Sequence, residues 1–199
     1  YLNRNSRDQS ASLAKLSSGS RIVRASDDAA GLAVGTALQS DVTALKQAAT
    51  NAVQGQSVLQ TADGALSRVG DILQRMKALA VQSNSGSVDA TSRGFINTEY
   101  QQLLTEAQAI GTNTQFNGDG VIDGGFNFNF QVGTSGTDTI ALNLSTVNIT
   151  TIANGSAVDT QANAVTANTT LDTAIDNIST YRATVGALLS PQHLANLFT

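Results

Sequence analysis

A small or apolar residue stands at every seventh position from 38 to 80: Leu38, Leu45, Ala52, Leu59, Leu66, Leu73 and Ala80. Val42, Ala48, Ala49, Ala62, Val69 and Met76 fill the slots three or four residues later. A seam held over that many heptads predicts one long helix that buries a narrow stripe against partner helices. Ser26 is expected to cap it, with Asp27 and Asp28 as carboxylates at the positive end of the helix dipole. Ser83-Asn84-Ser85-Gly86-Ser87 ends it with turn formers. At ~1.5 Å per residue, about 58 residues make a rod of roughly 85 Å. Gly55, Gly64 and Gly70 lie inside it, each costing about 0.8–1 kcal/mol relative to Ala. A lone helix of this kind frays, so the rod is expected to be packed, its small residues admitting close neighbours.

Two further stretches carry matching seams. Between 89 and 110, Ile96, Tyr100, Leu103, Ala107 and Ile110 alternate at spacings of four and three. The short Ser/Gly connection makes this stretch an antiparallel neighbour of the rod. Near the end, Leu171, Ile175, Ile178 and Val185 repeat the pattern, with Arg182 in one slot. The expected fold is mainly α: an elongated antiparallel helical bundle or coiled coil with both chain ends at one pole. The segment between Gly111 and Gly155 differs. Asn117-Gly118, Asp119-Gly120 and Gly124-Gly125 mark turns. Phe126, Phe128 and Phe130, then Ile140, Leu142 and Leu144, alternate with polar or small residues, which predicts a small β-hairpin or meander. Residues 153–170, rich in Asn, Thr, Ala, Ser and Val, read as a loop leading into the last helix.

Composition narrows the function. Charged residues make up 13% of the 199-residue chain, about half of the roughly 25% usual in globular domains. With no Cys and a single His (His193), disulfides, thiol chemistry, Cys-based zinc sites and His-pair metal sites are excluded. No enzyme activity and no cofactor are expected. Arg4, Arg7, Lys15, Arg21 and Arg24 make the start basic against Asp8, within a net charge of −4. Aromatics do not interleave with them, so the stretch reads as a solvated helix face and nucleic acid is not an expected partner. No apolar run approaches the ~18 residues of a membrane span, and membrane insertion is not expected. Asp27 and Asp28 point about 100° apart on a helix, which argues against a paired metal or acid–base site. Asp119 and Asp123 lack a calcium-loop pattern and read as turn residues.

Four motifs carry a resemblance. Leu16-Ser17-Ser18-Gly19-Ser20-Arg21-Ile22 with Ala25-Ser26-Asp27-Asp28-Ala29-Ala30-Gly31 resembles the signature near the start of bacterial flagellin. So does Leu73-Gln74-Arg75-Met76-Lys77-Ala78-Leu79-Ala80-Val81-Gln82-Ser83. Thr114-Gln115-Phe116-Asn117-Gly118 is similar to the family's turn out of its second helix. Tyr181-Arg182-Ala183-Thr184-Val185-Gly186-Ala187 is similar to its C-terminal helix. The resemblance implies a subunit of the flagellar filament that works in motility, is exported through the flagellar channel and self-assembles outside the cell. Other flagellin subunits, an export chaperone and a cap protein are the partners it implies. On the same ground residues 1–25 are the remnant of an inner helix and spoke, 26–122 the N-terminal helical part of a rod domain, 123–166 a short variable region, and 167–190 its C-terminal helix. The tail 191–199 matches nothing in the family pattern, and Pro191 is expected to stop the helix. A piece without the family's terminal helices is expected to stay monomeric.

The resemblance also implies a contact with Toll-like receptor 5 through Arg75, Leu79 and Glu106. Arg75 and Leu79 are four apart and share a helix face off the seam. An exposed Arg beside an exposed Leu is the mixture expected of a binding hot spot. Subunit packing in the filament is the competing role for that surface. Two other readings stay open: a flagellin-like surface adhesin or polysaccharide binder, using the Asn, Asp and Phe residues of 113–130, and the hook–filament junction protein.

Overall fold

The computed structural model describes residues 1–189. Pro191, His193 and the expected non-family tail 191–199 lie outside the described residues. The described residues form four helices and two small sheets: α1 (Leu2–Ser18), α2 (Ala29–Asn84), α3 (Ala90–Asn113), β1 (Gln115–Phe116), β2 (Asp119–Gly120), β3 (Asn127–Gln131), β4 (Thr139–Asn143) and α4 (Gln161–Leu189). They divide into two compact units, Tyr1–Ala49 and the described residues from Thr50 onward, with α2 contributing to both.

In the first unit α1 ends on Gly19 at φ 65°, ψ 8°, a left-handed cap that costs glycine nothing. The turn that follows is built on Asp27. Its Oδ2 accepts from the backbone N–H groups of Arg24 at 3.2 Å and Val23 at 3.3 Å, and Lys15 Nζ stands 3.5 Å from its Oδ1. Those donors, Arg24 first, hold the Asp27 carboxyl below its usual range. The cap of α2 is Asp28, whose Oδ1 accepts from Gly31 N–H at 2.9 Å. This corrects the expected Ser26 cap: the cap and the helix start both lie two residues later, because Asp27 is spent on the turn. A Cβ on Gly31 would stand 2.5 Å from Asp28 Oδ2 and 2.9 Å from Ile22 Cδ1, which explains why the motif ends in glycine.

The second unit is held by α2 from Thr50 onward, α3 and α4. Leu59, Leu66, Leu73, Met76 and Ala80 of the long seam are buried, together with Tyr100, Leu104 and Ala107 of α3 and Leu171, Ala174, Ile178 and Val185 of α4. Ile96, Leu103 and Ile175 pack at the margin of this core. Tyr100, Leu104, Ala107 and Gly111 form the buried line of α3, so its stripe sits slightly to one side of the expected one. Ion pairs fix the antiparallel register of α2 and α4: Asp63 with Arg182 at 2.9 Å, and Lys77 with Asp172. Gly70 comes within 3.7 Å of Ile178 through its absent side chain's position, and Gly55 within 3.6 Å of the Phe130 ring. Two of the three interior glycines thus mark close approach.

Leu38 and Leu45 are a correction to the seam as a buried feature. They are 59% and 47% exposed, as are Val34 at 60% and Val42 at 44%. The stripe continues in sequence, but no described element of the first unit covers it. The last helix is also longer than expected. It starts at Gln161, inside the stretch read as loop, because Ala164 and Ala167 are buried and this packing outweighs the poor helix propensity of the Thr and Asn around them.

The β residues form two separate antiparallel pairs, β1 with β2 and β3 with β4. Asn117 and Gly118, at φ 54° and 91°, make the two-residue turn that pairs Phe116 with Asp119. In the second pair Phe128 faces Leu142 and Phe130 faces Ile140. Phe126 is buried while Phe128 is 42% exposed, their rings 4.6 Å apart; a two-stranded sheet has no third strand to cover the whole row.

Candidate functional site

The surface where α2 and α3 meet carries the site residues the sequence singled out. α2 turns back into α3 through residues 85–89. Arg93 secures that turn, Nε donating to Ser83 O at 2.9 Å and Nη2 to Val88 O at 3.0 Å. Asp89 caps α3 by accepting from Ser92 N–H at 2.7 Å, and this bond holds its carboxyl below the usual range. The loop before α4 is tied to α3: Tyr100 Oη and Ser156 Oγ are 2.7 Å apart, Gln101 Nε2 donates to Ser156 O at 2.9 Å, and Val158 N–H donates to Asn97 Oδ1 at 2.9 Å. Burial raises the Tyr100 hydroxyl above its ordinary value. Ser83 Oγ, fully buried, donates to Val158 O. These bonds fix the heights of α2 and α3.

On that frame Arg75 projects to solvent, its side chain 56% exposed. Its Nε and Nη2 both donate to Glu99 Oε1, at 2.9 and 2.5 Å. Leu79 does not accompany it. At 2% exposure it belongs to the core, which corrects the expected exposed Arg–Leu pair. The seam is wider than its a positions, so a residue one turn beyond Arg75 still falls inside. Glu106 is exposed and lines a groove of about 560 Å³ between α2 and α3 with Gln60, Gly64, Arg68, Asn113 and Gln115.

Two residues of this surface escaped the sequence reading, Arg68 and Glu99. The signal was in the spacing. Arg68 precedes Arg75 by seven residues and Glu106 follows Glu99 by seven. On antiparallel helices, Arg68 with Glu106 is therefore the equivalent of Arg75 with Glu99 one heptad along. Among the described residues no ion pair within 4.0 Å joins Arg68 to Glu106. The rung at 75 and 99 is closed, and the rung at 68 and 106 is open at the groove.

No three His, Cys, Asp or Glu side chains converge as a metal site among the described residues. None of their helices is long and apolar enough to cross a membrane. Long antiparallel helices joined through an apolar seam, with charges spent on helix register, define a structural packing module. The family described as "Bacterial flagellin N-terminal helical region" matches residues 1–127. The flagellin of Clostridium tyrobutyricum is 40% identical over 166 residues, covering 79% of this chain and 44% of the relative. That of Halalkalibacterium halodurans is 38% identical over 178 residues, covering 87% and 65%. The crystal structure of Bacillus cereus flagellin superposes with a TM-score of 0.63 at 32% identity, covering 69% of this chain and 81% of that one. The chain belongs to the bacterial flagellin family, whose members are structural proteins and not enzymes. It spans less than two thirds of the length of these two curated relatives.

Proposed function

We propose that the chain is part of a structural subunit of the flagellar filament, located outside the cell and working in motility. Its membership of the flagellin family supports this reading. The observation that carries it is the uncovered stripe of Val34, Leu38, Val42 and Leu45. In sequence these residues continue the heptad spacing of the seam that is buried inside the second unit. Each of these half-exposed aliphatic side chains forgoes roughly half of the about 1.5–3 kcal/mol that full burial gives, and a subunit in a polymer recovers it against further helices. Other flagellin subunits are thus the primary partners, with the export chaperone and the cap protein following from the same family. The division into inner remnant 1–25, rod segments 26–122 and 167–190 and variable region 123–166 belongs to this proposal. Imaging the gene product on its producing cell tests it: labelled filaments are expected, and label confined to a non-filamentous surface layer overturns the reading in favour of an adhesin.

A contact with Toll-like receptor 5 is proposed for the α2–α3 surface, with Arg75 and Glu106 as its exposed members. Leu79 acts there from below, holding α2 in the core. Supporting this reading is the placement of both charged residues along one helix pair, with the Arg75 side chain half exposed and bonded through one guanidinium edge to Glu99. A receptor reporter assay separates the outcomes: Arg75→Ala is expected to signal more weakly than the parent, and equal signalling removes Arg75 from the contact.

A further inference from the structure

We propose that Asn154 is a site of spontaneous modification, deamidation through a succinimide, and that the fold withholds the same reaction from Asn117. These residues head the two Asn-Gly pairs of the chain, 117–118 and 154–155. In such a pair the glycine nitrogen attacks Asn Cγ and loses its proton to solvent. The Cγ–Nδ2 bond breaks, ammonia leaves, and a five-membered ring closes. Water, the one co-reactant, then opens the ring at either carbonyl. The product is aspartate or, more often, isoaspartate, whose main chain runs through Cγ. All four residues are exposed, and neither carboxamide is hydrogen-bonded among the described residues. Access therefore does not separate the two pairs; backbone geometry does.

Ring closure brings the glycine nitrogen to the side-chain side of the Asn Cα–C bond, at a ψ of about −120°, the value of the first central residue in a type II′ turn. Asn117 and Gly118, at φ 54° and 91°, form instead a type I′ turn, whose first residue has ψ of about +30°. The nitrogen then lies nearly opposite Cβ. With the hairpin closed, the reactive ψ is the type II′ corner, which requires glycine where Asn117 stands. Opening the hairpin breaks the Phe116–Asp119 pairing and the bond from Val121 N–H to Thr114 O, beside the fully buried Val121 and Ile122.

The turn at 153–156 lacks both restraints. Ser156 N–H donates to Ala153 O at 3.2 Å, and Gly155 has φ 74° while Asn154 is not at positive φ. This is the type II pattern, with Asn154 at a ψ of about +120°. From there ψ turns through the extended region that any residue adopts, and the free φ of glycine lets the peptide follow. The bond from Ser156 to Ala153 spans that peptide without using it. Ala153, at φ 50°, is strained for an L side chain, so the loop gains by relaxing. Conversion places a carboxylate, and in isoaspartate an extra main-chain methylene, two residues before Ser156. Ser156 is the residue that ties this loop to Tyr100 and Gln101 of α3.

The test incubates the native chain and the urea-unfolded chain in mildly alkaline buffer and follows chymotryptic peptides by mass spectrometry. Cuts after Phe116, Phe126 and Leu144 put the two Asn residues in separate peptides. In the native chain Asn154 is expected to convert at least about tenfold faster than Asn117, the protection that a required local opening imposes. In urea the gap is expected to close, because both backbones are then free. Native rates that differ by less than about threefold, a faster Asn117, or an unconverted Asn154 overturn the proposal. A gap that persists unchanged in urea overturns it as well, since neighbouring residues rather than the fold would then set the rates.

Discussion

The same substitution, Gly to Ala, is expected to act with opposite sign at two helical positions of the second unit. Gly111 sits in the last turn of α3, buried against the loop that follows β4. An added Cβ would stand 3.0 Å from Ile149 Cβ, 3.1 Å from Thr150 N and 3.2 Å from Ile149 C. Two of those atoms are backbone and cannot rotate away. The loop they belong to is anchored, since Ile149 N–H donates to Ile122 O at 3.0 Å and both residues are fully buried. Overpacking of this kind costs about 1–3 kcal/mol. The intrinsic helix gain of Ala over Gly, at most about 1 kcal/mol and smaller at a helix end, offsets only part of it. Gly111→Ala should therefore lose about 1–2 kcal/mol. Gly64 lies in mid-helix and is exposed, with nothing within 4 Å of the added methyl, so Gly64→Ala should gain about 0.8–1 kcal/mol. Urea unfolding followed by far-ultraviolet circular dichroism measures both. A Gly111→Ala variant as stable as the parent, or a Gly64→Ala variant less stable, refutes the packing reasoning, because helix propensity alone gives both the same sign.

Other expectations follow from the same contacts. Leu66→Ala, at a side chain with no exposure, should cost about 2–5 kcal/mol in urea unfolding, whereas Leu38→Ala, 59% exposed, should stay within about 0.5 kcal/mol. Asp89 has a carboxyl lowered in the folded state below the ordinary 3.8, so the unfolded chain binds the proton more tightly and stability rises with pH across that interval. The contribution is complete above 3.8 and is lost as pH falls through the lowered folded value; the stability gap between parent and Asp89→Ala, measured by urea unfolding at successive pH values, should close on acidification. Reversing Asp63 to Arg should destabilise by less than about 1 kcal/mol, given the exposure of both partners, and adding Arg182→Asp should restore most of the loss in a thermal melt.

How much of this was legible beforehand depends on where each residue's environment is set. Leu59, Leu66 and Leu73 could be read as core because a heptad repeat fixes one face of a helix whatever packs on it. The repeat cannot say how far the covering extends, and so Leu38 and Leu45 looked no different from Leu59. Leu79 was misread for a related reason: two partner helices widen the buried arc beyond a single seam. Asn and Thr concealed the first turns of α4, whose helical state comes from burial of Ala164 and Ala167, a tertiary effect. The turn at Asn117-Gly118 was legible because its backbone angles demand those residues. In the site, Arg75 and Glu106 could be named from motif resemblance, but Glu99 required the α2–α3 register to be known. Once that is given, the seven-residue spacings make Arg68 and Glu99 obvious.

The central claim is that the uncovered stripe of α2 is closed by assembly. Expression of the gene product in a flagellin-deleted cell, with and without the paired changes Leu38→Asp and Leu45→Asp, tests it by electron microscopy. The account predicts filaments from the parent and none from the double variant, with the variant protein recovered unassembled from the medium. Filaments of normal length and number from the double variant would contradict it.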